Sequence, residues 1–259
     1  MIERAAAGAL VALFIALAAR RARALSPSGA AAAVVVGTVS AAAGWNWALL
    51  LILFFLSSSL LTRLGVEIKE ARTQGIVAKG GPRDAPQVAA NGGIYALCAA
   101  FSIAMPWEGW TAAAAGSLAA AAADTWSTEI GTLLGGTPRQ ITSGRRVPAG
   151  TSGAVSLAGL VAAVAGAAFI AGSALLLGWP GRLTIAVFVG GMAGALADTL
   201  VGAVVQARRR CPACESLTER AVHSCGSATV HAGGVRWMNN DAVNVVAASV
   251  GALIAILGS

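Results

Sequence analysis

Apolar residues in this chain gather in runs long enough to cross a bilayer, and short polar segments separate the runs. Gly29–Ala43, Asn46–Leu61, Ala154–Leu177 and Leu183–Val205 carry almost no charge. A span needs roughly 20 mainly apolar residues. The pattern predicts eight helices, at about residues 2–19, 29–43, 46–62, 88–104, 109–134, 152–178, 183–206 and 240–257. The second is short enough to be re-entrant. No polar stretch has the length of a separate soluble domain. The expected fold is an all-α integral membrane protein, a single polytopic helical bundle over residues 1–259 with a small zinc-knuckle-like Cys/His loop at 207–239 inside it.

Composition narrows this picture. Hydrophobic residues make up 57% and charged residues 11%, with a mean hydropathy of +0.74. The 32 glycines and many alanines suit close helix packing. Lipid gives no hydrophobic drive between helices, and small residues let backbones approach.

Charge sets an orientation. A net charge of +7 raises nucleic acid as a partner. Position argues against it: every Lys and Arg except Arg4 and Arg182 lies in segments 20–28, 63–87, 135–151 or 207–239, Lys79 and Arg83 among them. Loop-borne positive charge marks the cytoplasmic face. Both termini are therefore expected outside, and the four larger loops inside, the plasma membrane of a bacterium. The Arg20-Arg21-Ala22-Arg23 cluster follows the first apolar run. A cleaved signal peptide carries its positive charge before that run, so the first helix is expected to be retained.

Two acidic residues interrupt the apolar runs within near-copies of one motif. The copies are Ala123-Asp124-Thr125-Trp126-Ser127-Thr128-Glu129-Ile130-Gly131 and Ala197-Asp198-Thr199-Leu200-Val201-Gly202. A carboxylate near the bilayer centre costs about 3 kcal/mol or more, and intramembrane carboxylates mark ion, proton or substrate sites. Both helices are predicted to run the same way, with Asp124 and Asp198 at matched depth, as in a parallel repeat. Hard cations such as Mg²⁺ take carboxylate oxygens together with substrate phosphates. Asp124 and Thr128 share a helix face. Glu129 lies well round the helix and meets the same ion only if the helix bends at Gly131, Gly135 or Gly136.

Further polar groups open helices at the same end. Gln87 and Asn91-Gly92-Gly93 open the fourth predicted helix, and Pro148-Ala149-Gly150-Thr151-Ser152-Gly153 opens the sixth. A glycine-rich helix start offers backbone N–H groups to phosphate, and Arg139, Arg145 and Arg146 stand nearby in sequence. The last helix opens with Asn239-Asn240-Asp241-Ala242-Val243-Asn244. Asn239 or Asn240 serves as an N-cap and Asp241 suits the helix dipole. Asn240 and Asn244 share a face. The polar loop adds Cys211-Pro212-Ala213-Cys214, His223-Ser224-Cys225 and His231. A cytoplasmic loop disfavours disulfides, and Zn²⁺ favours four Cys and His ligands. The expected set is Cys211, Cys214, His223 and Cys225, with His231 as substitute; the alternatives are a redox pair or metal-free thiols. Cys98 is read as a small buried hydrophobe.

The acidic motif 123–131, Val147-Pro148-Ala149-Gly150-Thr151-Ser152-Gly153-Ala154-Val155-Ser156 and Asn239–Asn244, in this order, resemble the transmembrane protein 19 and phytyl-phosphate kinase family. The resemblance runs from about residue 25 to the end. Ser152 stands where the family pattern has Asn. The resemblance implies a kinase that uses a nucleoside triphosphate, with CTP expected, to convert an isoprenoid monophosphate into its diphosphate. For such a reaction we expect Mg²⁺ on Asp124 and Asp198 with Glu129 or Asp241. Phosphates meet Arg145, Arg146 and residues 150–153. Thr125 and Thr128 join them, while Asn91, Asn240 and Asn244 orient substrate or metal-bound water. The alternatives are an ion- or proton-coupled transporter and a nucleotidyltransferase acting on a lipid phosphate.

Overall fold

The computed structural model describes residues 2–73, 75–77 and 80–259. Lys79, one of the basic loop residues, lies outside them. The helices are α1 (Ile2–Arg21), α2 (Pro27–Ala43), α3 (Trp45–Arg63), α4 (Val66–Thr73), α5 (Ala85–Ala104), α6 (Gly109–Leu134), α7 (Leu157–Leu176), α8 (Leu183–Val204) and α9 (Asn240–Leu257). All eight predicted helices are present. Six of them (α1, α3, α5, α7, α8 and α9) are long and apolar enough to cross a membrane. The chain is a multi-pass integral membrane protein.

Three boundaries differ from the sequence reading. The short charged α4 has no apolar run to announce it. α5 begins at Ala85 because Asp84 and Gln87 form a capping box: Gln87 N–H donates to Asp84 Oδ1 at 3.0 Å and Asp84 N–H to Gln87 Oε1 at 3.1 Å. This satisfies two orphan donors. The sixth predicted helix begins at Leu157, not 152. Ser156 caps it, accepting from Gly159 N–H at 3.1 Å. Residues 150–153 are therefore turn and strand approach, and the predicted cradle at a helix N-terminus does not form there.

α6 is the hub. Every residue from Ala112 to Ala123 is buried, and the helix packs on α5, α7, α8 and α9. Its 26 residues rise about 39 Å. Small residues set the approach. A methyl group on Gly116 would fall 2.4 Å from Gly251 O, and one on Gly190 would fall 2.6 Å from the same oxygen. One turn on, a methyl on Gly194 would stand 2.3 Å from Ala120 Cβ and 2.7 Å from Ala247 O. α6 and α8 thus run parallel and in register, with α9 antiparallel to both. The next turn brings Asp124 beside Asp198.

Short strands cover one end of the bundle. β1 (Arg139–Gln140) pairs antiparallel with β2 (Ala154–Val155). A three-stranded antiparallel sheet of order β4-β3-β5 is built from β3 (Arg208–Arg210), β4 (Leu217–Thr218) and β5 (Val230–Gly233).

Candidate functional site

The carboxyl groups of Asp124 and Asp198 lie within hydrogen-bonding reach of each other. Two like charges this close are relieved by a shared proton or by a cation. Asp198 Oδ2 is buried, with no hydrogen-bond partner among the described residues. A buried orphan acceptor carries the full desolvation cost. The pair therefore fits a hard cation that brings further oxygen ligands, such as phosphates, with it.

Glu129 and Asp241 do not complete a three-carboxylate cage. Among the described residues, the group of three or more Cys, His, Asp or Glu with ligand atoms mutually within 4.8 Å is the Cys/His cluster. Glu129 is held elsewhere, accepting from Lys69 Nζ at 2.5 Å and Thr62 Oγ1 at 2.7 Å. Lys69 also donates to the carbonyls of Leu61 and Thr62, both at 2.8 Å. Glu129 thereby ties α3 and α4 to α6, and only its charge reaches Asp124. Asp241 is buried in the first turn of α9. The antiparallel register sets Asp198 level with Val243 and Asn244, and leaves Asp241 further toward the loops. Asn239 is the N-cap of α9, accepting from Ala242 N–H at 2.9 Å. Asn240 and Thr128 are exposed and Asn244 is half-buried.

A groove lies among α1, α2, α3 and the start of α5, and Thr125 of α6 closes its polar end. Apolar residues of α1, α2 and α3 line most of it, including Val11, Ile15, Val36, Leu49, Ile52 and Phe55. It encloses about 190 Å³. Its polar end carries Arg83, Gln87, Asn91 and Thr125. Asn91 Nδ2 donates to Gln87 O at 2.9 Å. Arg83 donates to Ser59 Oγ at 3.4 Å and Thr62 Oγ1 at 3.2 Å and forms no ion pair among the described residues. Burial lowers the Arg83 pKa and the Glu129 charge raises it in partial compensation. In the sequence Arg83 is one more loop-borne positive charge, distinguished only by its place just before the Asp84 cap.

The 135–156 segment and the Cys/His loop meet at the end of α8. Arg145 and Arg146 are exposed on the β1–β2 hairpin, and Thr151 donates to Pro148 O at 2.8 Å. Gly150 packs on Thr73 and Val77. Gly153, at φ 76°, lies so close to α8 that a methyl group would stand 2.3 Å from Ala203 Cβ. Ser152 Oγ donates to Glu219 Oε1, as does Gln206 Nε2 at 2.7 Å. The Glu219 charge reaches Asp198. Glu219 and Gln206 are therefore site neighbours that the sequence reading missed. A lone Glu in a polar loop gives no local signal of where the loop folds.

Cys211, Cys214, His223 and Cys225 come together as the spacing predicted. His231 does not join them; it pairs across β3 with Arg209. All the cysteines are free thiols, Cys98 buried in α5 among them. Hydrogen bonds from Ser227 and then His223 lower the Cys225 pKa to about 5, whereas the bond to Cys225 raises that of Cys214 to about 11.

The profile of the integral membrane protein family DUF92 matches residues 10–252. An uncharacterized membrane protein from Methanocaldococcus jannaschii is 31% identical, over 81% of this chain and 74% of its own. Protein PGR of Arabidopsis thaliana is 32% identical over 76% of each chain. Protein VTE6, chloroplastic, also from Arabidopsis thaliana, is 28% identical over 81% of this chain and 57% of its own. These matches agree with the transmembrane protein 19 and phytyl-phosphate kinase resemblance read from the motifs. No solved structure matches the chain.

Proposed function

We propose that this chain, which belongs to the integral membrane protein family DUF92, is a kinase for an isoprenoid monophosphate such as phytyl or geranylgeranyl phosphate. The donor is a nucleoside triphosphate, CTP by the family resemblance, and the product is the lipid diphosphate. One observation carries the reading. Asp124 and Thr125 share one turn of α6, so the acid pair and the polar end of an apolar groove lie at one depth on neighbouring faces. That arrangement suits a substrate with a hydrocarbon tail and an anionic head.

The tail lies along α1, α2 and α3. Arg83 donates to the head phosphate in place of its weak contacts with Ser59 and Thr62, and Asn91 and Thr125 orient it. Guanidinium–phosphate bonds are among the stronger polar contacts. Arg145 and Arg146 draw in the nucleotide, and the basic loops face the cytoplasm, where nucleotide is found. An oxygen of the substrate monophosphate attacks the terminal phosphorus of the nucleotide. A new P–O–P bridge forms as the bond to the nucleoside diphosphate breaks, and that diphosphate leaves with the electron pair. The attacking phosphate is already anionic, so no strong base is required. Asp124 and Asp198 would hold Mg²⁺, whose charge offsets that of the phosphates.

The test is to incubate purified protein with Mg²⁺, CTP and geranylgeranyl phosphate. Lipid diphosphate and CDP are expected. Pyrophosphate release would replace the reading with nucleotidyl transfer. No turnover with any nucleotide, combined with ion uptake by vesicles that depends on Asp124, would replace it with a transporter.

A further inference from the structure

We propose that Cys211, Cys214, His223 and Cys225 hold a structural zinc ion, and that this ion fixes the loop that presents Glu219 to the acid pair's end of the bundle. The proposal does not rest on the phosphotransfer reading.

The spacing of the donor atoms is that of a metal site and not of a disulfide. Cys211 Sγ and Cys225 Sγ are 3.6 Å apart, and His223 Nδ1 is 3.2 Å from Cys225 Sγ. Around a tetrahedral zinc with Zn–S near 2.3 Å and Zn–N near 2.0–2.1 Å, two sulfurs stand roughly 3.8 Å apart, and sulfur and nitrogen roughly 3.5 Å. A disulfide needs about 2.05 Å. All four donor atoms lie within 4.8 Å of one another.

The backbone is shaped for two ligand turns. Glu215, directly after Cys214, has φ 57°, and Gly226, directly after Cys225, has φ 85°. Cys211 N–H donates to Ser216 O at 2.9 Å, and Gly226 N–H donates to His223 O at 2.9 Å. A non-glycine residue at positive φ is uncommon and costs energy unless its surroundings impose it. His223 also has the support a metal-bound imidazole takes: Nε2 lies 3.2 Å from Ser216 Oγ, so Nδ1 faces the thiols. Such a second contact fixes ring orientation. Four protein ligands leave no open position, so the site is structural.

The loop needs the ion. β3, β4 and β5 are two to four residues long, too short to bury a core of their own, and small units of this kind fold around metals. Glu219 follows β4 directly. Its N–H donates to Ile76 O at 2.8 Å, and its carboxylate accepts from Gln206 and Ser152. Thr218 Oγ1 donates to Ile76 O at 3.3 Å and Arg220 Nε to Val77 O at 2.8 Å. Cys211 and Cys214 hold one flank of this contact strip and His223 and Cys225 the other. Releasing the metal frees both flanks.

Full-length protein purified in detergent without added metal should contain close to one zinc per chain. X-ray absorption should show three sulfurs near 2.3 Å and one nitrogen near 2.0–2.1 Å. Cys211→Ser should lower zinc at least tenfold, and His231→Ala should leave it unchanged. If Cys211→Ser fails to fold, chelation of wild-type protein followed by the same measurements takes its place. Hydrogen exchange supplies the positioning readout: chelation should expose the amides of residues 217–220 while those of α6 stay protected. Zinc absent from the intact protein, a mass two units low from a disulfide, or an oxygen-rich metal shell overturns the site. Unchanged exchange at 217–220 after metal removal overturns its hold on Glu219.

Discussion

Asp198 Oδ2 sits in the membrane-spanning part of α8 as a buried acceptor without a partner among the described residues, beside a second carboxyl on α6. Such a group lowers stability, and its cost follows from the bilayer alone. Asp124→Asn and Asp198→Asn remove an intramembrane charge worth about 3 kcal/mol. Each variant should keep or raise the melting temperature in detergent. Each should also lower phosphoryl transfer by about 10²–10³, the usual scale for losing one preorganised electrostatic contact. A variant that loses stability with unchanged turnover would mean the pair is a packing contact. Glu129 makes the opposite case. Lys69→Met leaves its carboxylate to Thr62 alone and should destabilise by about 3 kcal/mol, whereas Lys69→Met combined with Glu129→Leu should recover much of that loss. Denaturation midpoints of the two variants measure the difference. The acidic motifs were legible because charge in an apolar run stands out. The division of labour between Asp124 and Glu129 was not, because it depends on Lys69, which lies 60 residues away.

At the scale of elements, glycines decide how closely α6, α8 and α9 approach. Gly194→Val would push into Ala120 Cβ and Ala247 O, a backbone atom that cannot turn aside. The expected cost is about 1–3 kcal/mol, read as a lower melting temperature with weaker transfer as the acid pair separates. Gly172 on α7 has open space around it, so Gly172→Ala should be neutral or stabilising by up to about 1 kcal/mol. The eight long helices followed from apolar run length, and the shared direction of α6 and α8 from the charge pattern. The start of α7 did not follow, because Gly150, Thr151, Ser152 and Gly153 read equally well as a helix start or a turn. Gly153 against Ala203 and Ser152 against Glu219 settle it as a turn, and both partners are far away in sequence.

At the scale of the whole molecule, an apolar groove among α1, α2, α3 and α5 and an acid pair between α6 and α8 come together at Asp124 and Thr125, neighbours on α6. Ile52→Trp narrows the groove without touching the acid pair. Its transfer rate should fall about tenfold or more for a C20 monophosphate and much less for a C10 one, as expected when lost tail contacts are worth about 1.4 kcal/mol or more. Equal loss for both chain lengths would mean that the tail lies elsewhere. The Cys/His loop closes the end of the bundle where β1 and β2 also lie.

Read along the chain alone, the residues establish that it spans the membrane, which loops share an end of the bundle, that two acidic residues interrupt apolar runs, and which Cys and His lie close enough in the chain to meet. Those features depend on local periodicity, charge position and short spacing, which a linear chain displays. Folding was needed to show that Asp124 and Asp198 come within hydrogen-bonding reach, that Glu129 is bound by Lys69, that Arg83 ends an apolar groove, and that the Glu219 charge is felt at Asp198. Each of these depends on which residues of distant helices come level, and that register is set by where small side chains let two backbones close.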